Sequence, residues 1–418
     1  MTVLFPGVAL TDHVFTVPLD HDDPSGATIE VFAREAVDPA RRGDDLPWLL
    51  FLQGGPGGQA PRPLGGDGWL GQALRTHRVL LLDQRGTGRS SPVTGVTIGG
   101  FSDAALADYL RNFRADSIVA DAEIIRRRLI GDRPWDTLGQ SYGGFITLTY
   151  LSRAPEGLRT CYVTGGLAGL DATADDVYAR TYPKVMEKVR RHLSRFPEDE
   201  GRIQAIAEHL RTTKVVLPDG DPLTVRRFQM LGIELGSGDG SERLHWLLTE
   251  AFHGSSLSDE FRYEVMAETS FAAGPLYAVM HESIYAQGAA TNWSADRLLP
   301  PELSEDANPV RFTGEMIYPW MFDDIRALRP FRSAADRLAA VDDWPALYDP
   351  VRLAANEVPV VAAVYFDDMY VDTAFSLETA QRVGNVRTWV TNEYEHDGAR
   401  VSGGRVLARL MDMATGHI

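Results

Sequence analysis

The most legible signal along the chain is a series of short, unbroken apolar runs. Trp48-Leu49-Leu50-Phe51-Leu52 and Val79-Leu80-Leu81-Leu82 are too short for helices and carry no polar face. That is the pattern of parallel strands covered on both sides. Cys161-Tyr162-Val163-Thr164, Val358 to Tyr365 and Arg387-Thr388-Trp389-Val390 extend the set. Nearer the start, Val14 to Val17 and Ile29 to Ala33 flank turn residues between His21 and Ser25, which predicts an antiparallel hairpin at a sheet edge. Between Ser117 and Leu129 the period changes: Ile118, Val119, Ala122, Ile125 and Leu129 recur at helical spacing. This helix leads into the strand Trp135 to Leu138, and a second helical pattern runs from Phe145 to Leu151. Alternating strands and helices imply an α/β fold, a mostly parallel sheet flanked by helices with right-handed crossovers.

Beyond about Leu170 the short apolar runs stop. Long charged helical stretches take over, including Tyr182 to Phe196, Glu200 to Arg211, Trp246 to Phe252 and Phe261 to Ser270. The expected organisation is a core over residues 1–170, a large inserted helical cap over 171–348 and the remainder of the core over 349–418.

Composition changes this picture little. With 418 residues, 44% hydrophobic and 24% charged, the chain has the make-up of a globular protein large enough for a core and a second lobe. A formal charge of -17 disfavours nonspecific binding to nucleic acid or anionic lipid. Met1 to Pro6 has no basic region followed by a long apolar stretch, and no segment approaches the roughly 20 apolar residues of a membrane span. A cytoplasmic location is expected, with neither nucleic acid nor membrane as partner. Cys161 is the single cysteine, so there is no intrachain disulfide and no cysteine cluster for zinc; its strand context reads as packing.

The chemistry centres on Gly139-Gln140-Ser141-Tyr142-Gly143-Gly144. Gly-x-Ser-x-Gly between a strand and a helix is the nucleophile elbow of the α/β-hydrolase fold, and Ser141 is its nucleophile. A serine hydroxyl needs a histidine base, an acid to orient that base, and donors for the oxyanion. In this architecture the acid and then the histidine follow the serine. His192, His209 and His245 lie in polar helical patterns and read as surface positions, whereas His396 lies in a loop after the strand at Trp389, where the base belongs. Asp367 and Asp368 directly follow the run Val360 to Tyr365, so one orients the histidine; one of them is also expected to cap the following helix. The oxyanion donors are the N–H of Tyr142 and an N–H from Gln53-Gly54-Gly55-Pro56-Gly57-Gly58, with Gly55 the nearest choice. That loop lacks a P-loop ending and does not match a dinucleotide fingerprint.

Gly54 to Gly58, Asp83-Gln84-Arg85-Gly86-Thr87-Gly88-Arg89-Ser90 and Gly139 to Gly144 together resemble the prolyl aminopeptidase (proline iminopeptidase) family of α/β-hydrolases. The similarity covers about residues 45 to 165 and the surroundings of Asp368 and His396. Where the family usually has His before the Gly-Gly-Pro-Gly-Gly run, this chain has Gln53. The resemblance implies a triad of Ser141, Asp368 and His396, Asp368 matching the family's Asp-Met pair better than Asp367. Asp83 to Ser90, which read as a strand end and tight turn, keep a mainly structural role even with the resemblance. The resemblance also implies removal of an N-terminal residue, typically proline, from a peptide whose free amine is held by cap glutamates. A cation leaving water needs such carboxylates. Glu282 and Glu315, in aromatic-rich stretches of the insertion, are the candidates, with Glu268 third and Gly54 as a further substrate contact. The mechanism needs no metal and no organic cofactor. An esterase or amidase acting on a small metabolite, and a non-catalytic binding protein of the same fold, are the alternatives.

Overall fold

The computed structural model describes residues 2–418. Nine strands form one sheet: β1 (Thr2–Phe5), β2 (Val8–Pro18), β3 (Thr28–Val37), β4 (Trp48–Leu52), β5 (Arg78–Leu82), β6 (Trp135–Gln140), β7 (Leu158–Thr164), β8 (Val360–Tyr365) and β9 (Val386–Thr391), in the order β1-β2-β3-β5-β4-β6-β7-β8-β9. From β5 to β9 every pairing is parallel, while β1, β2 and β3 join antiparallel at one edge. The edge strands are longer than the apolar pattern predicts. Polar positions pair across them, as where Arg34 bonds Asp12 directly opposite, so ladder and ion pairs extend what hydrophobicity alone would end.

Alternate residues of the central strands feed two cores. Leu50, Leu52, Leu80 and Leu82 pack with the helices Ala115–Ile130 and Tyr142–Arg153 on one face. Leu49, Phe51, Val79 and Leu81 pack with Gly68–Leu74 and Arg405–Thr415 on the other. The period-two geometry of a strand makes this division unavoidable in a doubly covered sheet. Cys161 is buried on the first face, where burial pushes its thiol up to about 12 and leaves it an inert packing group.

Between β7 and β8 the chain forms helices, including Ala174–Arg195, Asp199–Thr212, Gly240–Thr249 and Asp259–Thr269, around a third core. Val93, Leu106, Leu110 and Phe113, from ahead of Ser141, share that core. The polar reading of the lobe fails at His192. Val185, Val189 and His192 fall on one buried stripe, and the ring bonds Ser241 at 2.7 Å while its Nε2 stands 3.1 Å from Asp199, with His245 on the same aspartate at 2.9 Å. Helical spacing, not residue polarity, decided its burial. Among the described residues no helix is long and apolar enough to cross a membrane.

Candidate active site

β6 ends at Gln140 and a helix begins at Tyr142, leaving Ser141 alone to make the turn. Its φ of 55° lies in the left-handed region, a strained conformation for a residue with a side chain. The surroundings hold it there. The Ser141 N–H donates to Thr164 O at 2.9 Å and its carbonyl accepts from Gly144 N–H at 2.7 Å. A side chain on Gly143 would collide with the Leu52 carbonyl, so only glycine lets the helix descend this close to β4.

His396 follows β9, and Asp368 follows β8. The His396 Nδ1 to Asp368 Oδ2 distance is 2.6 Å. The other oxygen of Asp368 accepts from the N–H groups of Tyr370 at 2.8 Å and Val371 at 3.1 Å, fixing the carboxylate. Asp367 turns away to the guanidinium of Arg191 at 3.0 Å, which holds its carboxyl below the usual range. Neither aspartate caps the next helix, as the sequence suggested one would: Asp372 does so, accepting from Ala374 and Phe375. The turn at Asp368 delays the helix start by several residues. Burial favours the neutral His396 ring, but the adjacent Asp368 outweighs it and raises the pKa above its ordinary value. The Gly165-Gly166 link after β7 joins serine and histidine sterically: an added Cβ at Gly165 would stand 3.1 Å from His396 Nδ1, and one at Gly166 would strike the Ser141 carbonyl.

The loop after β4 passes equally close. A Cβ on Gly54 would lie 2.9 Å from Ser141 Cβ, so only bare backbone fits beside Ser141 there, and Gly55 next to it has φ +131°. Tyr142 opens its helix, where N–H groups have no intrahelical partner.

Above these residues, Glu315 accepts from Tyr277 Oη at 2.5 Å. Burial pushes its carboxyl up to about 7, the tyrosine bond and the His396 charge opposing that rise. Glu282 is 7% exposed; its oxygens accept from Ser294 N–H at 3.1 Å and Ala295 N–H at 2.9 Å, anchoring the start of a short helix. Tyr178 and Tyr285 are near both glutamates: burial first, and then the charges of Glu282 and Glu315 among their neighbours, raise both hydroxyls. Glu268 stands elsewhere, in an acidic groove of about 300 Å³ with Glu234, and no triad candidate borders that groove.

The sequence profile of the α/β-hydrolase fold matches residues 47–291. A proline iminopeptidase of Aeromonas sobria is 48% identical over 409 residues, covering 97% of this chain and 96% of that protein. One from Aspergillus aculeatus is 34% identical, covering 97% and 93%. The chain belongs to the proline iminopeptidase family of α/β-hydrolases. It is therefore an enzyme of an aminopeptidase family. Among solved structures, an α/β fold family hydrolase from Bacillus anthracis str. Sterne covers 98% of the chain at 13% identity, with a TM-score of 0.44.

Within this family member, Asp83 to Ser90 brace the loop at Ser141. Buried Asp83 accepts from Ala60 N–H at 3.0 Å and pairs with Arg62 at 2.6 Å, tying down the end of the glycine loop. Buried Arg85 bonds Asp121 and the carbonyls of Leu19 and Asn112. Sequence reasoning missed Tyr277, which holds Glu315, and Tyr370, whose ring meets His396 edge-on with centroids 4.8 Å apart. It also missed the segment at Gly236, whose carbonyl accepts the His396 N–H at 3.2 Å. No local pattern marks these contacts; the aromatic density around Glu282 was the one available signal.

Proposed function

We propose that this iminopeptidase-family enzyme hydrolyses the N-terminal residue, preferentially proline, from peptides with a free amine, through an acyl-enzyme on Ser141. The observation that carries the reading is Glu315: a half-buried carboxylate that feels the charge of His396 and, among the described residues, meets no cation at ion-pair distance. A buried carboxylate without a counter-charge is costly, and a substrate ammonium supplies one. Glu282 adds a second negative charge. Each of its oxygens accepts one amide N–H and keeps lone pairs for a further donor.

In this mechanism His396 takes the Ser141 proton as Oγ attacks the carbonyl of the first residue, and Asp368 holds the imidazole and balances its charge. N–H groups at Gly55 and Tyr142 receive the oxyanion, with Gly54 lining the first residue. The carbon–nitrogen bond breaks, and the departing amine takes the proton from His396. Water then attacks the acyl carbon, giving its proton to His396, and Ser141 leaves with that proton. An identical acyl centre would serve an esterase; the cap carboxylates distinguish the two.

Labelling with a fluorophosphonate probe, together with a panel of aminoacyl naphthylamides, tests the proposal. The expected result is labelling at Ser141, lost in Ser141→Ala, with prolyl naphthylamide the best substrate. Absence of labelling in folded wild-type protein favours a non-catalytic binding protein, and hydrolysis of N-blocked esters alone favours an esterase.

A further inference from the structure

His396 also borders a space that none of the cap glutamates lines. A cavity of about 350 Å³ extends from His396 and Tyr370, past Gln53 and Gln140, to Phe51 and Trp69, with Ala399 also in its lining. Tyr277, Glu282 and Glu315 are not among its lining residues. Phe51 and Trp69 stack at 4.4 Å between centroids, and the half-buried Trp69 presents an aromatic surface to the space. The amides of Gln53 and Gln140 stand 3.5 Å apart on its wall, next to the nucleophile turn and the glycine loop.

The chemistry dictates which part of a peptide reaches this space. The first residue is held by its amine under the cap, and its carbonyl lies on Ser141. The nitrogen of the second residue must take a proton from His396 as it departs, so it begins within hydrogen-bond reach of that ring. From there the leaving peptide runs away from the amine pocket. A cavity that shares His396 with the acyl centre but none of the amine-binding residues meets that requirement. Its aromatic platform favours a large apolar side chain, and the two carboxamides offer a donor and an acceptor for the peptide backbone.

We propose that this cavity is the binding site for the residue after the scissile bond and selects a bulky apolar or aromatic side chain there, Trp69 setting the preference. The proposal rests on the aminopeptidase reading and gives Gln53, the departure from the family's histidine, a place in leaving-group recognition.

The test compares kcat/KM for Pro-Phe-amide, Pro-Gly-amide and prolinamide, the last releasing only ammonia. In wild type the Phe to Gly ratio is expected to be roughly 10 or more. Trp69→Ala removes the platform and Ala399→Trp fills the space, and each should bring the ratio toward about 1. Ala399→Trp carries the test if Trp69→Ala fails to fold. A wild-type ratio near unity, or a ratio unchanged in the folded variants, overturns the subsite. If prolinamide and both dipeptide amides resist hydrolysis, the aminopeptidase reading itself falls; if prolinamide is cleaved while the ratio ignores the substitutions, the subsite alone is wrong.

Discussion

Ser141, Asp368 and His396 follow the ends of three strands of one sheet, whereas Glu282 and Glu315 lie on a single 3-10 turn and an irregular segment of the inserted lobe. The first group inherits its spacing from the ladder: β6 and β7 pair directly, as do β7 with β8 and β8 with β9. The second group has no such frame, and local bonds replace it. Tyr277 Oη holds Glu315, and two backbone N–H groups hold Glu282. On the proposed assignment, chemistry is built on the sheet, and recognition on a part whose side chains can change without moving Ser141.

The strongest way to break this comparison is at the acid. Asp368→Asn should lower kcat by roughly 10⁴-fold on free-amine and N-blocked substrates alike, because the imidazole loses its orienting carboxylate. Asp367→Asn removes only a surface pair with Arg191 and should change kcat less than about twofold. Comparable losses in the two variants, measured by steady-state kinetics, would undo the assignment of Asp368.

A smaller effect separates the lobe from the sheet. Tyr277→Phe deletes a hydrogen bond to a carboxylate and should raise KM for a prolyl naphthylamide roughly tenfold while sparing an N-blocked ester. It has a pH signature too. With the Glu315 carboxyl at about 7, kcat/KM for free-amine substrates should rise with pH through that region as the carboxylate forms. Because the Tyr277 bond lowers that pKa, Tyr277→Phe should move the rising limb to higher pH. An unmoved limb would mean that Tyr277 only packs.

The smallest effect belongs to the acidic groove. Burial, and then the neighbouring Glu268, push the Glu234 carboxyl up to about 7. The folded state therefore keeps a proton that the unfolded chain releases at lower pH, and stability falls as pH rises toward 7. Glu234→Gln should raise Tm by about 2 °C at pH 8 and leave it nearly unchanged at pH 4. Thermal melts at the two pH values check this, and an equal shift at both would remove the titration as its cause.

The sheet was readable from sequence because continuous apolar runs leave little alternative, and Ser141 because a strand, a small-residue turn and a helix coincide there. Asp368 and Asp367 could not be separated from residue pattern alone, since the choice depends on a turn closed by the N–H groups of Tyr370 and Val371. Resemblance favoured the aspartate that the structure brings to His396. The lobe was legible only as helices. His192 was misjudged by its polarity, and Tyr277 and Tyr370 act through contacts with residues 38 and 26 positions away in sequence, which no periodicity reports.

The most direct measurement is kcat/KM of Glu315→Gln on a prolyl naphthylamide and on an N-acetylproline ester. Losing the proposed partner of the substrate ammonium should cost about 3 kcal/mol, on the order of 100-fold, with the naphthylamide. The blocked ester, which has no ammonium to bind, should lose less than about threefold. Equal losses on the two substrates would contradict the account, leaving Glu315 a structural residue and the acyl centre without an amine receptor.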